Sequence, residues 1–95
     1  MTLLESVSKA YRLKVDSAVK KAKEILTCHI EKRIEDLASR GVILVDVKEF
    51  NDCIFETFPL HRLLNFVLQE KELEGFGLEQ VDDKKSLRLS TTLKY

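Results

Sequence analysis

Residues 13–41, LKVDSAVKKAKEILTCHIEKRIEDLASRG, decide the fold. Stepped at 100° per residue, Val15, Ala18, Val19, Ala22, Ile25, Leu26, Ile30, Ile34 and Leu37 fall within one half of a helical wheel. Lys20, Lys21, Glu24, Glu31, Lys32 and Glu35 occupy the other half. That pattern predicts an amphipathic helix with one face in a core and the other in water. At i+4 Glu24 meets Cys28 and Glu31 meets Glu35, so neither gains an ion pair there, and the apolar face is the main stabilising element. Arg40 followed by Gly41 closes the helix. A cation suits the negative end of the dipole, and glycine suits the left-handed position beyond it.

Upstream, TLLESVSKAYR at residues 2–12 continues the apolar line through Leu4, Val7 and Tyr11. Two readings follow: one helix over residues 2–40, or a short lead-in helix with a break near residues 12–14. The unbroken helix would be roughly 58 Å long, against about 26 Å for a compact domain of this size. Its protruding end would need a partner. Small Ala18 and Ala22 on the same face would allow a close approach. The stretch therefore predicts self-association, with Leu4, Val7, Tyr11, Val15, Ala18 and Ala22 at the contact.

Downstream, VILVDVKEF at residues 42–50 opens with an almost continuous aliphatic run, the signature of a strand buried on both faces near a sheet centre. Asn51 and Asp52 read as a turn, with one helical turn over residues 52–58. Pro59 opens a second helix over PLHRLLNFVLQEKELEG, where its missing N–H costs nothing. Leu60, Leu63, Leu64 and Val67, with Leu68 at the margin, form its core face and Gly75 its end. FGLEQVDDKKSLRLSTTL at residues 76–93 alternates on both sides of Asp82-Asp83-Lys84-Lys85 and reads as a β-hairpin turning at Asp83-Lys84, with Asp82 opposite Lys85. The whole is a single α+β domain over residues 1–95, ordered α-β-α-β-β, in which a long helix and a second helix pack on a three-stranded sheet; residues 1–12 are a lead-in helix or an oligomerisation segment.

The order of elements resembles that of many short open reading frames of bacteriophages and prophages. In those a helix ends in spaced aliphatic residues and a glycine, as here at Ile30, Ile34, Ala38 and Gly41. A strand, a helix closing on a Leu/Gly-Phe pattern (Leu73, Gly75 and Phe76) and a hairpin follow. The resemblance spans about residues 20–93 and implies an origin and an architecture rather than a chemistry.

The 95 residues carry 16 basic and 16 acidic side chains, a formal net charge of zero. Residues 1–40 hold nine Lys/Arg against six Asp/Glu, and residues 41–95 seven against ten. Neutral balance argues against strong nucleic-acid affinity, which depends on neutralising phosphates. The outline of a helix before a hairpin resembles a winged helix, and Lys9, Arg12, Lys14, Lys20, Lys21 and Lys23 form a basic run. The second helix, however, carries Glu70, Glu72 and Glu74, and the wing tip carries Asp82 and Asp83.

Cys28 and Cys53 are isolated, and no secretory segment or long apolar run is present, which points to a reducing cytoplasm and no membrane span. Cys28, His29, Cys53 and His61 lack the paired spacing that zinc requires. No phosphate loop, nucleophile elbow or H-E-x-x-H occurs, so neither enzyme chemistry nor a cofactor is expected. His29 and Arg33 share the apolar side of the helix at i and i+4. A cation there needs a carboxylate such as Asp46 or Glu56, or else the two line a polar pocket for an anion. The reading is a non-enzymatic protein that binds itself, a host protein or both, with a nucleic-acid-binding regulator as the alternative and a small anionic-ligand or metal binder third. For duplex DNA at physiological salt, gel shifts should give dissociation constants no tighter than the non-specific range of about 10⁻⁴ to 10⁻⁶ M; a sub-micromolar, salt-sensitive shift would reverse the order of the first two.

Overall fold

The computed structural model describes residues 2–83 and 85–92 and is an α+β fold. Helix α1 spans Leu3–Lys32 and α2 spans Ile34–Arg40. Strand β1 (Val42–Asp46) leads into a 3₁₀ segment, Val47–Cys53. Helix α3 (Leu60–Val67) precedes a short 3₁₀ turn, Lys71–Leu73, and the hairpin of β2 (Phe76–Val81) and β3 (Ser86–Thr91). The sheet is antiparallel throughout, in the order β1-β3-β2.

Helix α1 starts at a cap that the sequence spells out as Thr-Leu-Leu-Glu. The Thr2 hydroxyl accepts the Glu5 N–H at 3.1 Å, satisfying one of the donors that a helix start leaves free. The helix then runs through residues 12–14 without a break. It ends at Arg33, whose backbone leaves the helical region at φ −126° and ψ 32° and whose N–H is shared between the carbonyls of His29 and Ile30. Neither sequence alternative holds: the chain does not break at residues 12–14, and the single helix over residues 2–40 is interrupted at Arg33. The wheel supplies the reason: a continued α1 would bring Arg33 onto the same line as Val15, Ala22 and Leu26. Beyond the break Leu37 stays in the core, where periodicity placed it, while Ile34 turns outward, 57% exposed, although periodicity had placed it on the core face too. Gly41, at φ 76°, closes α2, its N–H donating to the Leu37 carbonyl at 2.8 Å.

The second helix is also shorter than its pattern. Stepping on from Leu63, Leu64 and Val67, a continuous helix would roll Glu70, Lys71 and Glu74 into the core and Leu73 out of it. The chain unwinds after Val67, resets its phase in the 3₁₀ turn and buries Leu73 completely. Gly75, at φ 89°, therefore precedes β2 but does not end α3. The helical turn expected at residues 52–58 lies earlier, in the 3₁₀ segment; Phe55 and Phe58 instead pair across a tight turn.

Strand β1 is an edge strand, not a central one. Ile43 and Val45 face the core, whereas Leu44 is 50% exposed. The aliphatic run looked two-sided because Val42 and Leu44 are apolar, but they lie on the outer face. The centre belongs to β3, whose Leu87 and Leu89 are fully buried while Arg88 faces out. In the hairpin Val81 pairs with Ser86, and the Lys85 N–H donates to the Asp82 carbonyl. Asp82 and Asp83 take positive φ, as aspartate tolerates in turns. The other half of the expected turn, Lys84, lies outside the described residues.

One core unites these pieces. Val15, Ala18, Val19, Ala22 and Leu26 of α1 meet Phe50, Cys53 and Phe58 from the connecting segments, Leu63, Leu64 and Val67 of α3, and the inner face of the sheet. No polar or charged residue is buried among the described residues. At 1.5 Å per residue α1 is about 45 Å long, and it gives the molecule its 53 × 29 × 18 Å shape. Removing side-chain volume from the buried half of α1 should therefore cost far more than removing it from the outer face. Leu26→Ala is expected to lower unfolding free energy by about 2–5 kcal/mol, and Leu13→Ala, 64% exposed in the parent, by less than about 0.5 kcal/mol, as read from urea midpoints.

Candidate interaction surfaces

Among the described residues, the N-terminal turns of α1 carry three of the most exposed large apolar side chains: Leu3 at 87%, Leu4 at 74% and Val7 at 64%. Contact with the rest of the chain begins at Tyr11. Its ring stands edge-on to Phe55 at 6.0 Å, and its hydroxyl donates to the Thr57 carbonyl at 3.4 Å. Phe55 continues through Phe58 to Phe66, an aromatic row in which Phe58 is buried and Phe66 half exposed. Of the six residues the sequence nominated for self-association, the structure spends Val15, Ala18 and Ala22 on the chain's own core and half buries Tyr11. Leu4 and Val7 remain exposed, and Leu3 joins them on the same side of the helix. The small residues Ala18 and Ala22 do allow close approach, but by the chain itself: Ala18 lines a groove with Cys53, Ile54 and Phe55.

His29 and Arg33 do not share a pocket. His29 Nε2 lies 2.8 Å from a Glu49 carboxylate oxygen, tying α1 to the 3₁₀ segment. The side chain is half buried and the pair is lined by Lys21, Glu24, Ile25 and Cys28. Arg33 points the other way. Its Nη1 donates to the Leu44 carbonyl at 3.0 Å, and its Nε lies 3.6 Å from Asp36. Neither residue takes the Asp46 or Glu56 partner that sequence reasoning suggested. Asp46 instead accepts the Lys48 N–H at the start of the 3₁₀ segment. The one-turn spacing of His29 and Arg33 placed them together; the break at Arg33, which no local pattern announced, separates their partners.

Arg33 belongs to a cleft of about 330 Å³ between α2 and β1, lined by Arg33, Asp36, Arg40, Val42, Ile43, Leu44 and Arg88. Arg33, Asp36 and Arg40 recur at helical spacing along one side of α2. Arg88 arrives from β3 through its register opposite Leu44. Its guanidinium also bonds Glu79 across the β2–β3 pair. Arg40 has no ion-pair partner among the described residues. The cleft was not legible in the sequence, because Arg40 and Arg88 are 48 positions apart and only the β1–β3 pairing brings them together.

The basic run of α1 is partly occupied within the chain. Lys21 lies 3.8 Å from Asp52, Lys23 lies 3.5 Å from Glu72, and Lys14 Nζ sits over the Phe55 ring at 5.6 Å. The Glu72 carboxyl is held below its ordinary range by its own backbone N–H and by Lys23. Such pairing removes charge that a phosphate backbone would need. Cys28 is exposed and Cys53 buried; burial pushes the Cys53 thiol up, partly opposed by Lys21. His61 is exposed on α3, a different element from that of either cysteine. Among the described residues no group of three or more His, Cys, Asp or Glu could hold a metal ion. No helix there is long and apolar enough to cross a membrane.

The Arg33 side chain is 41% exposed, which changes the energetic expectation for this position. A buried, paired guanidinium would cost about 3 kcal/mol or more to remove. With water on one side, the loss reduces to a hydrogen bond to a strand carbonyl, about 1 kcal/mol. Arg33→Ala should therefore shift the urea midpoint modestly, and Lys32→Ala should stay within about 0.5 kcal/mol of the parent. Equal midpoints for the two variants would show that the Leu44 contact adds nothing to stability.

With the geometry in hand, comparison with known proteins finds no match to a family model, to a curated protein or to a solved structure.

Proposed function

We propose that the chain is a small non-enzymatic interaction protein that self-associates through the first turns of α1, and that it acts as a phage-type accessory protein on a host protein. The observation that carries the self-association is the exposure of Leu3, Leu4 and Val7 on a helix that projects beyond its last anchor at Tyr11. Single exposed apolar residues are ordinary, but three on one side of a projecting helix form a patch. The phage-type assignment rests on the likeness of architecture alone.

A second copy is the occupant that suits this face best. The stripe is flanked by Ser6, Ser8 and Ala10, which are small and uncharged. Two such faces therefore meet without like charges in opposition. In an antiparallel pair centred on Val7, Leu3 of one copy meets Tyr11 of the other and Leu4 meets Ala10, a self-complementary arrangement with two-fold symmetry.

The magnitudes set the strength. Full burial of an aliphatic side chain gains about 1.5–3 kcal/mol, so three from each copy gain on the order of 10 kcal/mol. The association cost is about 4–15 kcal/mol. The balance places the dimer in the micromolar range or weaker. Light scattering at ~100 μM should give a dimer mass for the parent and a monomer mass for Leu4→Asp combined with Val7→Asp. A monomer mass for the parent at that concentration sinks the proposal, because the contact would then contribute less than about 5.5 kcal/mol.

A further inference from the structure

At the other end of the molecule the free edge of β1 faces the arginine-lined cleft. The Thr91 N–H donates to the Gly41 carbonyl, and the Val47 N–H to the Lys85 carbonyl. With the β1–β3 register, these bonds fix which residues of β1 are spent on β3: Gly41, Ile43, Val45 and Val47. Val42 and Leu44 therefore turn their N–H and C=O groups away from the sheet. Arg33 takes the Leu44 carbonyl. The Leu44 N–H and both backbone groups of Val42 are left on the cleft side. An edge of this kind is a template for another strand unless it is blocked.

The chemistry around the edge selects what can add to it. Three guanidinium groups line the cleft; Arg33 is paired with Asp36 and Arg88 with Glu79, so the formal excess is one positive charge, carried by Arg40. A second β1 would bring the same arginines against these and is repelled. An extended chain bearing carboxylates offers what the site lacks. Its backbone pairs with Leu44 and Val42, and its side chains accept from Arg40 and Arg88 in charge-assisted bonds. A free phosphate or a single carboxylate would answer the arginines but leave the strand edge unpaired.

We propose that the cleft between α2 and β1 binds an extended acidic peptide segment, which adds to the edge of β1 as a fourth strand with its carboxylates on Arg33, Arg40 and Arg88. Arg33 would then exchange Asp36 and the Leu44 carbonyl for the incoming chain. The site lies beyond the far end of α1 from Leu3, so it is independent of the self-association face.

Fluorescence anisotropy of the full chain with a labelled peptide of alternating valine and glutamate tests this. Binding is expected, falling with added salt, and absent for the valine–lysine counterpart. Arg40→Glu should weaken it by about tenfold or more. Lys32→Glu, which makes the same charge change outside the cleft, should bind as the parent does. Circular dichroism melts are the check that both variants fold. The same peptide with methylated backbone nitrogens should bind far more weakly. Equal binding of the methylated peptide, or full displacement by inorganic pyrophosphate, would show an anion site without strand addition and overturn the proposal. No anisotropy change up to ~1 mM protein would also overturn it, leaving the arginines as guards of the edge. Retained binding by the Leu4→Asp, Val7→Asp variant is expected; its loss would place the peptide on the N-terminal face instead and overturn the cleft assignment.

Discussion

Burial of the α1 stripe from Val15 to Leu26 is the constraint on which the rest of the structure depends. Val15, Ala18, Val19, Ala22 and Leu26 span about three turns, and all are at most 9% exposed. A lone helix of this kind gains little from its own charge pairs, so its stability comes from what covers it. The cover is assembled from every later part of the chain: Phe50 and Cys53 from the 3₁₀ segment, Phe58 from the turn, Leu63 and Val67 from α3, and Leu87 and Leu89 from β3. Because the stripe is narrow and contains two alanines, the covering segments come close, and a core of modest size closes without a buried charge.

The same constraint explains where the helices stop. Helical phase carries a charge into the core at two places, Arg33 in the first helix and Glu70, Lys71 and Glu74 beyond the third. In both, the chain abandons helical geometry rather than bury the charge. The cost of a few unmade helical hydrogen bonds, each about 1 kcal/mol net, is smaller than that of placing an ionised side chain in an apolar interior. The second break also delivers a leucine, Leu73, to the core, and beyond the first Leu37 keeps its place there. The break at Arg33 has a further consequence. It redirects α2 alongside β1, and so creates the cleft that Arg33, Arg40 and Arg88 line.

Two surfaces are left over by this packing, and they differ in kind. The first turns of α1 extend past Tyr11 because the helix is longer than the small sheet and its connections can cover, and they expose aliphatic side chains. The β1 edge is left because three strands in an open sheet always have two outer strands; here one of them sits beside arginines. The first surface is apolar and suits a like surface. The second is polar, directional and basic, and suits an extended acidic chain.

Much of the architecture was legible in the residues. The heptad-like spacing of Val15, Ala18, Val19, Ala22 and Leu26 specified a buried helix face, Gly41 the end of the helical region (though of α2, not of α1), and the alternation of Leu87 and Leu89 with Arg88 a strand covered on one side. These are local signals, set by side-chain period and by the backbone freedom of glycine. The candidate self-association face was partly legible, in Leu4 and Val7. Whether Val15, Ala18 and Ala22 faced a partner or their own chain was not, since periodicity marks a face that must be covered and not what covers it. Only the tertiary structure decided that β3 and not β1 is central, because strand order depends on pairing between segments more than 40 residues apart. It alone separated His29, paired with Glu49, from Arg33, paired with the Leu44 carbonyl. It alone brought Arg40 and Arg88 to one cleft, since their proximity follows from the β1–β3 register, a long-range choice that no single stretch of sequence encodes.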